Sequence, residues 1–553
     1  MQPVRIMSAA SIPPSTNRSP DVGGAESLPI RTAKFPTKYR RNTPRSKNGC
    51  LSCRARRRKC DEVKPSCTSC SRSGRECSWP VKENNASQNT SRTGSDLKEH
   101  LSSSSDEPSS PAKDIPGMDH SEAVILAQSV VSEGKSANAL FLRASLTPGI
   151  LSNLSDTSRQ LYEQYLSNTA DILARGPSAD GNPFINYVLP LALSDGLIMD
   201  CILGIGGAHM VALDPGARHV EVATRGHYAR VLSGLQKVLA GEVTPYFGSG
   251  KEEKAQYVLL ILLLLCVYEH TQGDVNGSVF HHIKASRHYV LSLTKTARNP
   301  STDRLGHIRG FLLEIYSFMA LKLAITPRGA MENHPIMLDP FLESLSFLGE
   351  YKSCGFMLGF GHGLFEMIPK IASLVEKRRL EELNNAKTEA SNDAYQDLVE
   401  RLESWDAFSD VLTGEGSSPR YQQGPAVAIY RTALIVYLHS AFHENLHERE
   451  DLCVEIDLHI DKVLPLMWAV YSSAAPFRRM MLWPACILAS FCRRPQLADG
   501  FRMGLNCNTR APGGVKVAAK AMEMLWADPD PRAYGPRGLS MVMKKHGLSF
   551  SMG

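Results

Sequence analysis

Six of the chain's thirteen cysteines lie within residues 49–77 of a 553-residue sequence. They form two copies of the spacing C-x2-C-x6-C, separated by six residues. The first residues of the chain contain no apolar h-region, so no secretory signal peptide is predicted. In a reducing compartment, such a dense group of thiols indicates a metal site and not a disulfide framework. The candidate ligands are Cys50, Cys53, Cys60, Cys67, Cys70 and Cys77.

The ligand type and number narrow the choice of metal. Closely spaced thiolates without histidine suit zinc, which takes four tetrahedral ligands. Six sulfurs complete two tetrahedra only if two of them are shared, which predicts a binuclear zinc cluster. Structural zinc supplies roughly 10–16 kcal/mol of folding free energy in small fingers, and this segment has almost no apolar core of its own. The alternative is a single four-cysteine site with two spare thiols.

Positive charge is concentrated around these cysteines. Residues 31–80 contain fifteen Lys/Arg and three Asp/Glu, a balance of +12, whereas the whole chain is only +6. A basic patch of this kind is typical of a protein that binds a polyanion. The basic residues between Cys53 and Cys60 are predicted on a short helix that can enter the major groove of DNA and contact guanine or phosphate. The alternative is that "RARRRK" serves only as a nuclear localisation signal, together with "KYRR" at 38–41.

The same residues resemble a known family. Gly49, the stretch "CRARRRKCD" and Pro65, together with the six cysteines, resemble the fungal Zn2Cys6 binuclear-cluster DNA-binding domain. The resemblance implies two Zn²⁺ ions bridged by Cys50 and Cys67. It further implies that one site is completed by Cys53 and Cys60, and the other by Cys70 and Cys77.

The resemblance also implies how DNA would be read. Arg56 and Arg57 occupy the positions nearest the bases, and the family typically reads CGG-type triplets in double-stranded DNA. The remaining candidate contacts, chiefly to phosphates, are Arg54, Arg58, Lys59, Lys47 and Arg72. These properties lead us to expect a sequence-specific transcription regulator of the RNA polymerase II type, located in the nucleus. A zinc protein with only nonspecific affinity for nucleic acid is the alternative in this class.

Four segments are predicted along the chain. Residues 1–42 form a disordered basic N-terminal region, 43–80 the zinc-cluster domain, 81–140 a flexible Ser-rich linker and 141–553 an all-helical domain. No a/d heptad run follows the cluster, although many family members carry a dimerising coiled coil there. A homodimer therefore stays an open alternative.

Helical periodicity dominates after residue 140. Thr157 and Gln160 match a capping box, and the helix it opens is expected to end at Gly176. A second helix is expected to end at Gly241. The apolar faces predicted for these two helices are Leu161, Tyr165, Leu166, Thr169, Ile172 and Leu173, and then Tyr228, Val231, Leu232, Leu235, Val238 and Leu239.

The most apolar stretch is predicted to lie in the core. The twelve residues "YVLLILLLLCVY" (257–268) are apolar on every face, but they are too few to span a bilayer. This stretch predicts a buried core helix, and no membrane partner is expected.

The helical region resembles the fungal-specific transcription factor domain through "HYARVLSGL" (227–235), "LLLLCVYEHTQGD" (262–274) and "LWPACILAS" (482–490). The resemblance implies an all-helical regulatory domain, which in some relatives binds a small effector. Contact with the transcription machinery is expected of the same domain.

One motif favours an enzyme instead. "HENLH" (443–447) matches the H-E-x-x-H pattern, which on a helix would place His443 and His447 on one face with Glu444 as a base. His439 lies one turn earlier. The third ligand expected of a zinc hydrolase is missing, because Glu455 follows too closely in sequence to belong to a separate helix. We therefore expect no enzymatic activity, with a zinc metallohydrolase as the alternative. The Gly-rich "GIGG" (204–207) is assigned to helix packing.

Overall fold

In the computed structural model, the chain forms two compact units, with the boundary between Lys113 and Asp114. The predicted disordered region 1–42 and linker 81–140 lie outside the residues that the structure describes. The described residues are 50–55, 60–73, 76–79, 153–174, 181–245, 247–248, 250–296, 304–329, 336–351, 353–359, 361–405, 420–472, 480–506 and 511–552.

The N-terminal unit is organised around its thiols. Two short helices, α1 (Leu51–Ala55) and α2 (Thr68–Ser71), each carry the second cysteine of a C-x2-C pair. The chain returns to α1 where the Leu51 N–H donates to the Ser78 carbonyl at 2.8 Å. The apolar cluster of this unit contains five buried cysteines, with Cys77 and Trp79 packed partly against them. A core made of thiols needs a metal to hold it together, because the described residues add little other apolar surface.

Helices dominate the described residues of the larger unit, as the sequence predicted. No strand occurs among them, and one isolated parallel bridge joins Asn276 to Ser549. Its α-helices are α3 (Asp156–Gln164), α4 (Ala170–Leu173), α5 (Leu189–Ala192), α6 (Gly196–Leu213), α7 (Arg218–Ala240), α8 (Lys251–Gln272), α9 (Ser278–Thr296), α10 (Arg304–Ala324), α11 (His362–Leu383), α12 (Glu389–Ser404), α13 (Arg420–Phe442), α14 (Glu450–Ser472), α15 (Leu482–Ala489), α16 (Pro495–Asn506), α17 (Gly513–Ala527) and α18 (Gly535–Lys545).

Short non-α segments connect several of these helices. Two π-helical segments, Tyr165–Thr169 and Phe184–Val188, lie between α3 and α4 and before α5. Three 3₁₀ segments lie in later connections: Pro340–Glu343, Ser346–Glu350 and Leu446–Glu448.

In the described ranges, three segments are long and apolar enough to cross a membrane by length and composition: Gly196–Leu213, Lys251–Gln272 and Gly424–Phe442. Inside the protein, 61%, 89% and 83% of their most apolar windows are buried. The stretch 257–268 belongs to the second of these helices, and all of its residues are buried, as predicted. Burial by neighbouring helices accounts for an apolar surface on every side of a helix.

Helix α3 begins two residues earlier than the capping box predicted. Ser155 is the N-cap, and its hydroxyl accepts a hydrogen bond from the Ser158 N–H at 3.2 Å. Thr157 lies inside the helix. The helical run continues through the π-segment to Leu173, and its predicted end at Gly176 lies outside the described residues. A Ser at the N-cap position competes well with a Thr two residues later because both hydroxyls can accept the same kind of bond.

Helix α7 ends as predicted but presents a narrower buried face. Gly241 adopts a left-handed conformation, φ +80°, and closes the helix. Val231, Leu235 and Val238 are buried, whereas Leu232 and Leu239 are exposed. The prediction was therefore wrong for the two leucines. The neighbouring helices cover the row of Val231, Leu235 and Val238, and the row of Leu232 and Leu239 is left to solvent.

The "GIGG" stretch packs α6 against its neighbours, as expected. A Cβ at Gly206 would meet the Leu161 carbonyl oxygen, and a Cβ at Gly207 would meet the Thr224 hydroxyl. Glycine at these two positions lets α3 and α7 approach the backbone of α6 closely.

The segment after α18 is part of the core. Phe550 and Met552 are completely buried, and the Ser549 N–H donates to the Val275 carbonyl at 3.1 Å. The Ser549 hydroxyl donates to the Arg328 carbonyl at 3.1 Å. Residues 548–552 thereby join the loop after α8 to the end of α10.

Candidate metal centre and DNA interface

The six thiols of the N-terminal unit form two groups of four. In each group, all sulfur atoms lie within 4.8 Å of one another. One group is Cys50, Cys53, Cys60 and Cys67, and the other is Cys50, Cys67, Cys70 and Cys77. Cys50 and Cys67 belong to both groups. This is the arrangement that two tetrahedral ions sharing two ligands would require.

The sulfur–sulfur distances fit zinc. Cys50 Sγ lies 3.7 Å from Cys67 Sγ and 3.7 Å from Cys70 Sγ, and Cys53 Sγ lies 3.6 Å from Cys67 Sγ. A tetrahedron with Zn–S bonds of about 2.3 Å has edges of about 3.8 Å. The thiols therefore already stand at the separation that a shared ion would impose.

Backbone N–H groups point at the same sulfur atoms. The Cys53 N–H donates to Cys50 Sγ at 3.4 Å, and the Cys70 N–H donates to Cys67 Sγ at 3.4 Å. The Cys67 N–H donates to Cys77 Sγ at 3.3 Å and lowers the pKa of that thiol. N–H donors of this kind stabilise a thiolate, which is the form that binds metal.

Burial works against ionisation of two of the thiols, Cys50 and Cys70. It raises the pKa of Cys50 well above the ordinary range of a thiol and raises the pKa of Cys70 to about 11. A cluster of buried thiols therefore holds its protons unless a cation compensates the thiolate charge. This donor set fits Zn²⁺.

Hydrogen bonds outside the thiol groups hold the loop that joins the two C-x2-C-x6-C repeats. The Asp61 carboxylate accepts a hydrogen bond from the Thr68 N–H at 3.1 Å, at the start of α2. The Trp79 indole N–H donates to the Pro65 carbonyl at 2.8 Å. Asp61 and Pro65 are both part of the pattern that carried the family resemblance.

The structure describes only part of the predicted DNA-contacting set. The backbone of Arg54 lies in α1, and its side chain is outside the described residues. Arg72 is exposed directly after α2. The others, Lys47, Arg56, Arg57, Arg58 and Lys59, lie outside the described residues.

The "HENLH" stretch is not helical along its length. Helix α13 ends at Phe442, His443 to Asn445 form a turn, and Leu446–Glu448 is a 3₁₀ segment. His443 and His447 therefore do not share one helical face. The prediction that the H-E-x-x-H motif lies on a helix is wrong. The stretch lines a cavity of about 180 Å³ together with residues preceding and within α18.

A different group of ligand atoms does come together nearby. His439 on α13 and Glu455 and His459 on α14 place one ligand atom each within 4.8 Å of the others. Sequence reasoning excluded Glu455 because it follows so soon after the motif. The turn at 443–449 reverses the chain, so a glutamate sixteen residues after His439 lies on a separate, facing helix. The available signal was the four-residue spacing of Glu455 and His459, which puts both on one face of a helix.

Comparisons with known proteins address both units. The fungal specific transcription factor domain matches residues 160–552. The fungal Zn(2)-Cys(6) binuclear cluster domain matches residues 48–86. No solved structure matches the chain.

Several curated proteins are similar to the chain. The transcriptional activator protein UGA3 of Saccharomyces cerevisiae is 27% identical over 233 residues, which cover 42% of each chain. The aspercryptin biosynthesis cluster-specific transcription regulator atnN of Emericella nidulans is 24% identical over 244 residues, covering 43% of this chain and 33% of that protein. The transcription factor lfc1 of Flammulina velutipes is 58% identical over 36 residues, covering 6% and 13%. The matches span less than half the length of each of these relatives.

These relatives are named as transcription regulators, and none of the comparisons supports a metallohydrolase. The zinc-cluster match and the convergent thiols both indicate zinc binding in the N-terminal unit. The transcription factor model covers well over half of the sequence. The chain therefore belongs to the family defined by the fungal specific transcription factor domain, with a fungal Zn2Cys6 cluster domain preceding it in sequence.

Proposed function

We propose that the chain is a sequence-specific DNA-binding transcription regulator of the RNA polymerase II type that acts in the nucleus. The observation that carries this proposal is the pair of four-thiol groups that share Cys50 and Cys67. Two Zn²⁺ ions would be held there, with Cys50 and Cys67 as bridging ligands. Cys53 and Cys60 would complete one site, and Cys70 and Cys77 would complete the other. The metal supplies the folding free energy that fixes α1 and α2.

The basic residues that follow α1 in sequence would contact double-stranded DNA. Arg56 and Arg57 would read CGG-type base edges in the major groove, where an arginine can donate two hydrogen bonds to guanine. Arg54, Arg58, Lys59, Lys47 and Arg72 would contact phosphates. The local balance of +12 supports this assignment, because the rest of the chain is net acidic.

The helical unit would act as a regulatory domain and contact the transcription machinery or an effector. We assign no catalytic role to Glu444. Its neighbours His443 and His447 do not present the helical ligand pair that zinc hydrolysis requires. Glu444→Ala is expected to leave DNA binding unchanged.

The proposal is tested with the full-length, zinc-loaded protein. A duplex containing CGG and a scrambled duplex are titrated across a salt series. We expect the CGG duplex to bind tens of fold more tightly. Arg57→Ala should remove about 1–3 kcal/mol of that preference.

Arg72→Ala is the matched control, because it also removes one positive charge from the N-terminal unit. It should weaken binding to both duplexes alike and reduce the salt slope by about one. Equal binding of the two duplexes by the wild type would contradict sequence-specific reading and leave only electrostatic affinity.

A further inference from the structure

Helices α13 and α14 bring three metal-binding side chains together in the helical unit, far along the chain from the cysteines. His439 comes from α13, and Glu455 and His459 come from α14. Their ligand atoms all lie within 4.8 Å of one another. We propose that these residues form a second metal site, which takes a divalent ion of the Zn²⁺ class through two imidazoles and one carboxylate.

His439 is the buried anchor of this site. Its side chain is 5% exposed, and its Nε2 has no hydrogen-bond partner among the residues that the structure describes. A buried polar atom without a partner costs about 1–3 kcal/mol, so such an atom in a folded protein calls for an explanation. A cation at Nε2 would supply the missing interaction.

The other ring nitrogen of His439 is already engaged. His439 Nδ1 lies 2.5 Å from the Tyr395 hydroxyl. If Nδ1 carries the proton and donates it to that oxygen, Nε2 retains its lone pair and faces the other two ligands. Metal-binding histidines are commonly held in this way by a hydrogen bond from the second nitrogen.

The ligands on α14 have a suitable spacing. Glu455 and His459 are four residues apart and lie on the same face of the helix. His439 Nε2 is 4.0 Å from Glu455 Oε1. Bonds of about 2.0–2.2 Å to a tetrahedral ion would bring such atoms to roughly 3.4 Å. A small side-chain rotation is enough, because the Glu455 side chain is 49% exposed.

The charges also suit a cation. Glu455 contributes the anionic ligand. Three protein ligands leave one position for water or another molecule, as in zinc sites that are not purely structural. An ion here would link α13 to α14, and the stability of the helical unit would then depend on metal.

The test uses the full-length protein with its cysteines already loaded with Zn²⁺. The protein is equilibrated with excess Zn²⁺ and dialysed, and bound metal per chain is measured by elemental analysis. We expect the wild type to hold one more Zn²⁺ than Glu455→Gln or His459→Gln. These two positions are preferred to His439, because they are less buried and their variants are expected to fold.

Glu444→Gln and His447→Gln are the matched controls, since they change the same residue types within the "HENLH" stretch. Both should retain the wild-type metal content. The result is a difference between proteins with identical cysteines, so it is independent of how many ions the cysteine cluster holds. Equal metal content in the wild type and His459→Gln would overturn the proposal, as would loss of the ion in Glu444→Gln.

Co²⁺ provides a second readout that identifies the ligands. The difference spectrum between wild type and His459→Gln should contain d–d bands without thiolate-to-metal charge transfer. A charge-transfer band in that difference would assign the extra ion to cysteine and overturn the proposal.

Discussion

Glu314 shows how one buried side chain can organise a loop. It lies on α10 and is completely buried. Its Oε1 accepts hydrogen bonds from the N–H groups of Gly355, Met357 and Leu358 at 3.0, 2.9 and 2.9 Å. Within the described part of the chain, its Oε2 has no hydrogen-bond partner. Burial raises the pKa of Glu314 to about 7, because desolvation outweighs the hydrogen bonds from the backbone N–H groups of the loop.

The raised pKa of Glu314 predicts the sign of a pH dependence. A carboxyl with a raised folded pKa stabilises the fold while it is protonated. The contribution of Glu314 protonation to the free energy of unfolding is complete below about pH 4.3. It declines as pH rises and is lost above about pH 7. Glu314→Gln stays neutral and can keep the N–H contacts through its amide oxygen. As pH rises through that range, the free energy of unfolding of this variant should therefore increase relative to that of the wild type, by at most about 1.4 kcal/mol per pH unit.

Urea unfolding at several pH values checks this prediction. Glu314→Ala is the control, because it leaves the three loop N–H groups without their acceptor. It should be less stable than the wild type at every pH, by about 1–3 kcal/mol or more. A parallel pH profile for the wild type and Glu314→Gln would contradict the assignment of the titration to Glu314.

At the scale of helices, the sequence predicts that a helix is present better than it predicts where the helix begins and ends or which of its faces is buried. The stop at Gly241 and the buried run 257–268 follow from local chemistry, a left-handed glycine and an unbroken apolar stretch. The exposure of Leu232 and the start of α3 at Ser155 depend on which neighbour covers each face, and periodicity does not contain that information. The turn at His443 likewise depends on tertiary packing.

The two candidate metal sites also differ in how well the sequence predicts them. Six cysteines at regular spacing lie close together in sequence, so their convergence could be predicted from the chain alone. The group of His439, Glu455 and His459 depends on two helices packing in one register. No spacing rule connects His439 to the other two, and only the reversal of the chain reveals their proximity.

The close packing of α6 predicts a position-specific response to a methyl group. A Cβ at Gly206 would meet the Leu161 carbonyl oxygen, and a backbone group cannot move aside cheaply. Gly206→Ala should therefore lower the free energy of unfolding by about 1–3 kcal/mol. Denaturant unfolding followed by circular dichroism measures the change.

Gly196 in the same helix is the matched control for this substitution. A Cβ there would have nothing within 4 Å. Gly196→Ala should be neutral or stabilising by up to about 1 kcal/mol, since alanine favours the helix. Equal effects at the two glycines would mean that helix propensity, and not the contact with Leu161, governs the response.

At the scale of the whole molecule, the two units rely on different sources of stability. The N-terminal unit has a core of thiols, and the larger unit has an extensive apolar core. Cys67→Ala should abolish binding to a CGG duplex while leaving the urea midpoint of helical unfolding unchanged. Gel shift and circular dichroism on the same protein measure both properties.

The control for Cys67→Ala is Cys486→Ala, which removes a buried thiol from the core of the larger unit. It should lower the helical midpoint through the cavity it leaves and keep DNA binding intact. If Cys67→Ala also lowered the helical midpoint, the stability of the helical unit would depend on the zinc-cluster cysteines.

The burial of residues 548–552 has a consequence for biosynthesis. The loop at Asn276 pairs with Ser549, which is translated 273 residues later. At about 5–20 residues per second, this interval is roughly 14–55 s. During that time the Val275 carbonyl lacks its Ser549 N–H donor, and the core lacks the buried side chains of Phe550 and Met552. Until residues 549–552 are synthesised, the nascent chain therefore exposes apolar core surface of the kind that chaperones bind.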